Sequence, residues 1–274
     1  YFHSLAVDSS GNVWSFGDNT YGQLGNGAQG GFSHSPIKVQ GALTNEQVVA
    51  VACGNYHSIA LLRNGTTFTW GYNGYNQLGD GTTVNSPLPK KILLTGLLYK
   101  RRVSAIAAGG QFSMVIADDG TLYRWGENSD GQYSNKVALP VSLNVGMLAN
   151  KVVTGIAGGT ISSYIIADGT LYSAGSNSVG QLGDGAIGIT DRVSYVPVSA
   201  LSSLTVRKVV SSCTSSFASV ITDDSTAYVW GDNTKGQLGD GTVTNRASPI
   251  KYHVHYPDRQ VVSMSVGYYH TLVL

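Results

Sequence analysis

The eleven residues from Gly17 to Gly27, GDNTYGQLGNG, return four more times along the chain: GYNGYNQLGDG at 71–81, GENSDGQYSNK at 126–136, GSNSVGQLGDG at 175–185 and GDNTKGQLGDG at 231–241. A glycine-rich loop that cradles a phosphate is needed once per nucleotide, whereas a turn is needed once per structural unit. Five copies therefore predict an array of similar units, each punctuated by the same turn. The leading glycines Gly17, Gly71, Gly126, Gly175 and Gly231 are spaced by 54, 55, 49 and 56 residues. That period is close to a β-propeller blade and longer than an ankyrin or tetratricopeptide unit.

Each of these glycines follows an alternating segment, VWSF, TFTW, LYRW, LYSA or AYVW. Period-2 alternation places Trp14 with Phe16, Phe68 with Trp70, Tyr123 with Trp125 and Tyr228 with Trp230 on one face of a strand. All four tryptophans are expected to fill the gaps between adjacent sheets, because a ring of that size is a major source of buried area. Upstream lies a second strand and a tight turn, as in HSIALLRNGTT and FSMVIADDGTL. The steps Asn64-Gly65 and Asp119-Gly120 supply the positive φ that two-residue hairpins require. A third strand precedes these (VVAVACG, VSAIAAGG), and a proline-bearing segment such as SPIKV or LPVSL closes the unit. Proline has no N–H to give to a ladder, so that last strand is expected at a sheet edge. Four short strands per unit and no credible helix define an all-β chain of blade-like sheets, read here as a single propeller domain or a partial propeller spanning residues 1–274.

The elements GNYHSIALL and GYYHTLVL, the aromatic strand ending in glycine and the GQLGDGT turn resemble the regulator of chromosome condensation repeat family across essentially the whole chain. The resemblance implies a β-propeller, of seven blades in typical members, of which about five repeat units are visible. Two units depart from the pattern: GQLGDG becomes GQYSNK in the third, and in the fourth Ala174 replaces the aromatic and GTISS the GxxHS element. Those blades are expected to be more loosely specified. The chain begins at YFHSLAV and stops at GYYHTLVL, so both ends supply the same strand type, and a segment of a longer protein, possessing further domains, is the expectation.

The recurring polar residues read as structural. Asn19, Asn73, Asn128, Asn177 and Asn233, with Gln23, Gln77, Gln132, Gln181 and Gln237, are placed to hydrogen-bond the turn backbone. His3, His57 and His270 share one repeat position, and Phe112 occupies it in the third unit, which a metal site would not tolerate. His253 and His255, with Asp258 nearby, are read as a polar loop. Cys53 and Cys213 sit at equivalent positions three units apart, so no bridge between them is expected. The sequence contains no metalloprotease, nucleophile-elbow or complete phosphate-loop signature. No enzyme activity, metal or cofactor is expected.

Net charge is +1 and charged residues make up 12% of the chain, so no global field draws it to nucleic acid or to an anionic membrane. The run Val48–Cys53 is too short to cross a bilayer. Low charge with abundant Gly, Ser, Thr, Asn and Tyr leans towards an extracellular or cell-surface location, and Asn64-Gly65-Thr66 forms a glycosylation sequon. A protein partner must then be met by local surface. Lys90, Lys91, Lys100, Arg101 and Arg102 gather five of the 17 basic residues in one stretch, and Tyr21, Tyr72, Tyr75 and Tyr133 are aromatics in the turns that the repeat does not require. Basic side chains pair with anionic groups and exposed tyrosine is a low-entropy contact residue. Together they predict one binding face, with Lys90, Lys91, Lys100, Arg101, Arg102, Tyr72 and Tyr75 as its candidates. The function expected is a non-catalytic interaction or scaffolding propeller. The alternative implied by the resemblance is guanine-nucleotide exchange on a small GTPase. That activity depends on a wedge-like insertion, and the intervals Gly27–Gly54, Gly81–Gly109 and Gly241–Gly267, of 27, 28 and 26 residues, show none.

Overall fold

The computed structural model describes residues 2–93, 101–127, 137–142, 146–188, 191–252 and 260–274. They form antiparallel sheets in chain order. The first sheet contains β1 (His3–Val7), β2 (Val13–Asp18) and β3 (Phe32–Lys38); the second contains β4 (Val48–Cys53), β5 (His57–Leu62), β6 (Thr67–Gly71) and β7 (Ser86–Lys91). The third is β8 (Val103–Ala108), β9 (Phe112–Ala117), β10 (Leu122–Gly126) and β11 (Val137–Ser142). The fourth follows with β12 (Val153–Gly158), β13 (Ser162–Ala167), β14 (Thr170–Gly175) and β15 (Arg192–Pro197), and the fifth with β16 (Val206–Val210), β17 (Phe217–Thr222), β18 (Ala227–Gly231) and β19 (Arg246–Lys251). A two-stranded sheet, β20 (Met264–Val266) and β21 (Thr271–Val273), is the last. The chain divides into two compact units, the first holding β1 to β11 and the second β12 to β21.

Within the four-stranded sheets the spatial order is the chain order, so the proline-bearing strands β7, β11, β15 and β19 lie at an edge as expected. Strands β5, β9, β13 and β17 are buried along their whole length. Burial on both faces is why HSIALL and FSMVIA read as near-continuous apolar runs and not as half-buried alternation. The hairpins form where the glycines allowed them: Gly65 has φ +84° and Gly120 φ +79°, and Asn64 Oδ1 accepts the Thr66 N–H at 2.9 Å.

The leading glycine of each turn is a bulge. The register between the strand that ends in or near this glycine and the strand after it slips by two residues at Gly17, Gly71, Gly126, Gly175 and Gly231. Gly71 shows why the position admits no side chain: its φ is +101°, and a Cβ there would lie 2.5 Å from the Tyr56 carbonyl oxygen. The following turn is held by side chains in the way the repeat predicts. Asn73 Oδ1 accepts the Leu78 N–H at 3.0 Å while its Nδ2 donates to Asp80 Oδ1 and Thr82 O. Gln77 Oε1 accepts the Tyr75 N–H at 2.9 Å. Asn19, Asn177 and Asn233, with Gln23, Gln181 and Gln237, repeat these bonds. Asn128 and Gln132 lie outside the described residues.

Hydrophobic cores sit between consecutive sheets. One joins the first and second through Val13, Val39, Leu43, Val48, Leu62 and Trp70, and another joins the second and third around Ile59, Leu61, Val115 and Trp125. In the second unit, Tyr164, Ile166, Val220 and Trp230 belong to the core between the fourth and fifth sheets. Each joint has a polar centre. Trp70 Nε1 donates at 2.9 Å to the Gln23 carbonyl in the turn of the preceding sheet, and the Ser58 hydroxyl donates to the same oxygen at 2.9 Å. Trp125 and Ser113 do the same to Gln77 O, and Trp230 and the Tyr164 phenol to Gln181 O. Thr271 supplies the hydroxyl for Gln237 O at 2.8 Å.

Trp14 corrects the expectation that all four tryptophans fill such gaps. It is half-buried and donates to Asp8 Oδ2 at 3.0 Å. The inter-sheet slot belongs to the residue immediately before the glycine, which in the first sheet is Phe16, and Phe16 is 37% exposed. The hydrogen bonds from Trp14 and Asn12 hold the Asp8 carboxyl down at about 2.

His3 and His57 fulfil the structural reading. Their Nε2 atoms lie 2.9 and 3.0 Å from the Ser58 and Ser113 hydroxyls. Those hydroxyls already donate to glutamine carbonyls, so each imidazole is the donor and its Nδ1 is the bare nitrogen. Both Nδ1 atoms are buried without a hydrogen-bond partner. The His57 ring lies against Gly54, where any Cβ would run into it, which accounts for the glycine three residues upstream. Phe112 takes this place in the third sheet, and the buried Arg124 guanidinium stacks 3.9 Å from its ring centroid. His270 departs from the pattern and is exposed.

Trp70→Ala is expected to cost about 3–5 kcal/mol by cavity formation, against roughly 1–2 kcal/mol for Trp14→Ala, which loses a hydrogen bond and partial burial. Urea melts compare them, and equal losses would mean that Trp70 is not a joint residue. Burial pushes His57 from 6.5 to about 3. A base with a depressed folded pKa contributes stability above its unfolded pKa and loses it as pH falls towards the folded one. The wild-type chain is therefore expected to lose more stability than His57→Phe between pH 6.5 and 3. Parallel pH profiles would rule this out.

Candidate functional site

The turns that follow Gly17 and Gly71 and the loop between β4 and β5 meet at one end of the first unit. There Tyr21, Tyr56, Tyr72 and Tyr75 form a cluster. Ring centroids are 4.7 Å apart for Tyr21–Tyr72, 5.1 Å for Tyr21–Tyr56, 6.1 Å for Tyr72–Tyr75 and 6.3 Å for Tyr56–Tyr72. Three of the four contacts are edge-to-face, the geometry that aromatic quadrupoles favour, and Tyr21–Tyr72 is tilted by 48°. All four rings are half-buried, a correction to the expectation of freely exposed turn tyrosines. Burial raises the Tyr72 phenol above its ordinary value, with Tyr75 and Tyr21 adding to the shift, so it stays a hydrogen-bond donor.

The fold does not demand these rings. Tyr21 and Tyr75 share a repeat position with Val179 and Lys235, Tyr72 with Asp18, Glu127, Ser176 and Asp232, and Tyr56 with Phe2, Gln111, Ile161, Ser216 and Tyr269. The described turns after Gly17, Gly71, Gly175 and Gly231 close on their asparagine and glutamine whichever residues stand at these positions. Sequence reasoning marked Tyr21, Tyr72 and Tyr75 and missed Tyr56. The signal was available, since Tyr56 stands beside His57 at a position that is aromatic in the units of Phe2 and Tyr269 and not in those of Gln111, Ile161 and Ser216. Tyr133 lies outside the described residues.

The basic candidates lie elsewhere. Arg101 and Arg102 immediately precede β8, beside the hairpin turns at the opposite end of the same strands. Arg102 donates from Nε to Asn64 O at 3.0 Å and from Nη2 to Arg63 O at 3.3 Å, and Arg101 pairs with Asp119 at 3.0 Å. Lys90 and Lys91 close the outer strand β7, with Lys90 on Asp80 at 3.3 Å. Lys100 is outside the described residues. Tyr72 and the turn at Asn64 terminate opposite ends of β6, so the predicted single face is in fact two surfaces. The reason is topological: residues close in sequence across a hairpin-type repeat alternate between strand ends. Arg63, not singled out from sequence, joins Arg102 around a cleft of about 360 Å³ that Asn45, Glu46 and Gln47 also line.

Among the described residues no group of three His, Cys, Asp or Glu side chains comes together to hold a metal ion. His253, His255 and Asp258 lie outside them. Cys53 and Cys213 are not bridged to each other. No helix among the described residues is long and apolar enough to cross a membrane.

Sheets of four antiparallel strands, joined through a tryptophan set on the turn of the sheet before, are the blades of a β-propeller. The chain belongs to the RCC1-like domain family, whose model matches residues 1–273. Relatives include the human probable E3 ubiquitin-protein ligase HERC6, 33% identical over 272 residues (98% of this chain and 21% of that protein). The ultraviolet-B receptor UVR8 of Arabidopsis thaliana is 32% identical over 285 residues, covering 99% of this chain and 60% of the receptor. Among solved structures, human WBSCR16 superposes with a TM-score of 0.84 at 23% identity, covering 99% of this chain and 69% of that one. Yeast RCC1 (Prp20) bound to Kap60 gives 0.62 at 19% identity, with 98% and 77% covered. The chain thus spans about a fifth of HERC6 and three fifths of UVR8.

Tyr72→Ala is expected to destabilise by about 1–2 kcal/mol through loss of its ring contacts, and Arg101→Ala by no more than about 0.5 kcal/mol, since its ion pair is exposed. Denaturant melts give the order. The reverse ranking would mean that the hairpin end, and not the tyrosine end, is the better packed surface.

Proposed function

We propose that this chain is a non-catalytic protein-interaction propeller that engages its partner through the tyrosine-bearing end of the first unit. The observation behind the reading is the four-tyrosine cluster, drawn from three loops at positions where the repeat accepts valine, serine, lysine or glutamine. Tyrosine offers a large, rigid contact area with a polar tip and few rotamers to freeze, so half-buried rings held by one another are pre-organised for docking. The ligase and receptor activities named for HERC6 and UVR8 belong to proteins of which this chain spans a part, and they do not bear on the cluster. Prp20p of Saccharomyces cerevisiae, similar in structure at 18% identity, is described with binding properties to Gsp1p and histones, and nucleotide exchange on a small GTPase is the competing reading.

The test places a photo-crosslinking amino acid at Tyr21 in one variant and at Arg63 in another, and identifies protein adducts from cells expressing each. Adducts recovered from position 21 and not from position 63 are expected. Adducts confined to position 63 would move the contact to the hairpin end. Acceleration of nucleotide release from a small GTPase by the purified chain would replace the scaffold reading with exchange.

A further inference from the structure

The basic stretch leads into a serine. Arg101 and Arg102 stand three and two residues before Ser104, and no other serine or threonine of the chain has arginine at both places. All three side chains are exposed, while Val103 between them is buried in the joint with the second sheet. Ser104 is also the extra residue of a bulge. Pairing of β8 with β9 passes from Val103–Ala117 to Ala105–Ile116 and leaves Ser104 unmatched. Its hydroxyl donates to Ile116 O at 3.1 Å and to Ala117 O at 3.3 Å. The same bulge recurs in the first strand of three other sheets, at Val49, Thr154 and Arg207, all of them exposed. The fold therefore asks for an outward residue at this position and not for a hydroxyl. Thr154, the other hydroxyl at the bulge, has a single cation before it, Lys151.

The strand is also placed to be read. β8 comes last in the order β11-β10-β9-β8, so its outer edge carries no ladder among the described residues. The two arginines are engaged only at the surface, Arg101 with Asp119 at 3.0 Å and Arg102 with the Asn64 and Arg63 carbonyls. An extended edge segment is the form in which many protein grooves receive a peptide. We propose that Ser104 is a phosphorylation site, modified by a serine/threonine kinase that selects arginine two and three residues before its target. Guanidinium groups at fixed spacing are what carboxylates in a substrate groove recognise.

In the transfer, Ser104 Oγ attacks the γ-phosphorus of ATP held by the kinase. The Oγ–P bond forms as the bond from that phosphorus to the bridging oxygen breaks; the diphosphate leaves with the electron pair, and the hydroxyl proton passes to the kinase's carboxylate base. The ester oxygen has no proton left to give to Ile116 O and Ala117 O, and the phosphate charge stands on the outward side of the strand with Arg102. Ser211, which follows Arg207 and Lys208, is the weaker target. It is half-buried, donates to Phe217 O at 3.1 Å and lies 3.3 Å from Ser215 Oγ.

The experiment incubates the folded 274-residue chain with MgATP and the catalytic subunit of cyclic-AMP-dependent protein kinase, an arginine-directed enzyme, and maps the phosphate by peptide mass spectrometry. One phosphoryl group per chain, on Ser104, is expected. Ser104→Val installs the residue type that the second sheet carries at its bulge, and should abolish labelling without moving the urea midpoint. The pair Arg101→Gln and Arg102→Gln keeps the hydroxyl and should lower kcat/KM by about tenfold or more, mostly through KM. Arg63→Gln removes a guanidinium from the same end but not from the motif, and should stay within about twofold of wild type. Trp14→Ala raises the unfolded fraction while the chain remains folded, and should be labelled at the wild-type rate. No labelling, phosphate on Ser211 or another residue in place of Ser104, or indifference to the glutamine pair would each overturn the proposal. So would labelling that rises in Trp14→Ala in proportion to the unfolded fraction, which would make the unfolded chain the substrate.

Discussion

The structure hangs on one hydrogen bond repeated along the chain: a buried indole N–H given to the carbonyl of a glutamine in the turn of the previous sheet. Blade-like sheets cannot bury both faces alone, and the apolar side chains between neighbours fix no angle or register by themselves. Burying the indole together with the N–H forces it to find its acceptor, because an unsatisfied donor in that core costs about 1–3 kcal/mol. The acceptor is available only if the turn keeps its shape. Hence the asparagine and glutamine that clamp the turn, and the glycine at positive φ whose missing Cβ lets the strand bulge into it.

This coupling explains which departures the repeat tolerates. In the third sheet, histidine is replaced by Phe112 and the small hydroxyl residue of β10 by Arg124, and the two newcomers stack on each other. In the fourth, the Tyr164 phenol takes over a bond to Gln181 O that a serine hydroxyl makes at the joints of the first unit. The carbonyl keeps its donors while their chemical identity changes. At Phe16, which is 37% exposed, the residue of that slot carries no N–H, and the tryptophan of that sheet stands two residues earlier on a different partner.

A scaffold whose turns are closed by internal amides leaves their remaining positions free to vary, and the tyrosine cluster is what this chain has placed there. Its rings come from turns about 54 residues apart, yet they touch, because successive blades bring equivalent loops to one end. The separation of the tyrosine cluster from Arg63, Arg101 and Arg102 at the hairpin end has the same origin: a strand of five or six residues has only two ends, and each loop type is assigned to one of them.

The sequence alone determined the period, the all-β class, the four strands of a unit and their order, and the structural duty of Asn73, Gln77 and His57. These rest on local chemistry, on alternation, turn residues and positive φ, which repeat in the sequence as they repeat in space. It identified Tyr72 and Tyr75 as surplus to the repeat. It could not show that they meet Tyr56, or that Arg101 and Arg102 lie at the far end from them, because linear proximity along Lys90 to Arg102 says nothing about which end of a sheet a residue reaches. Trp14 was misjudged for a related reason: alternation puts it on the same face as Phe16, but the slot that makes a tryptophan a joint residue is created by the neighbouring sheet's turn. Pairing within a strand is a local matter of period 2; contact between blades depends on how whole sheets are stacked, and only the tertiary structure decides it.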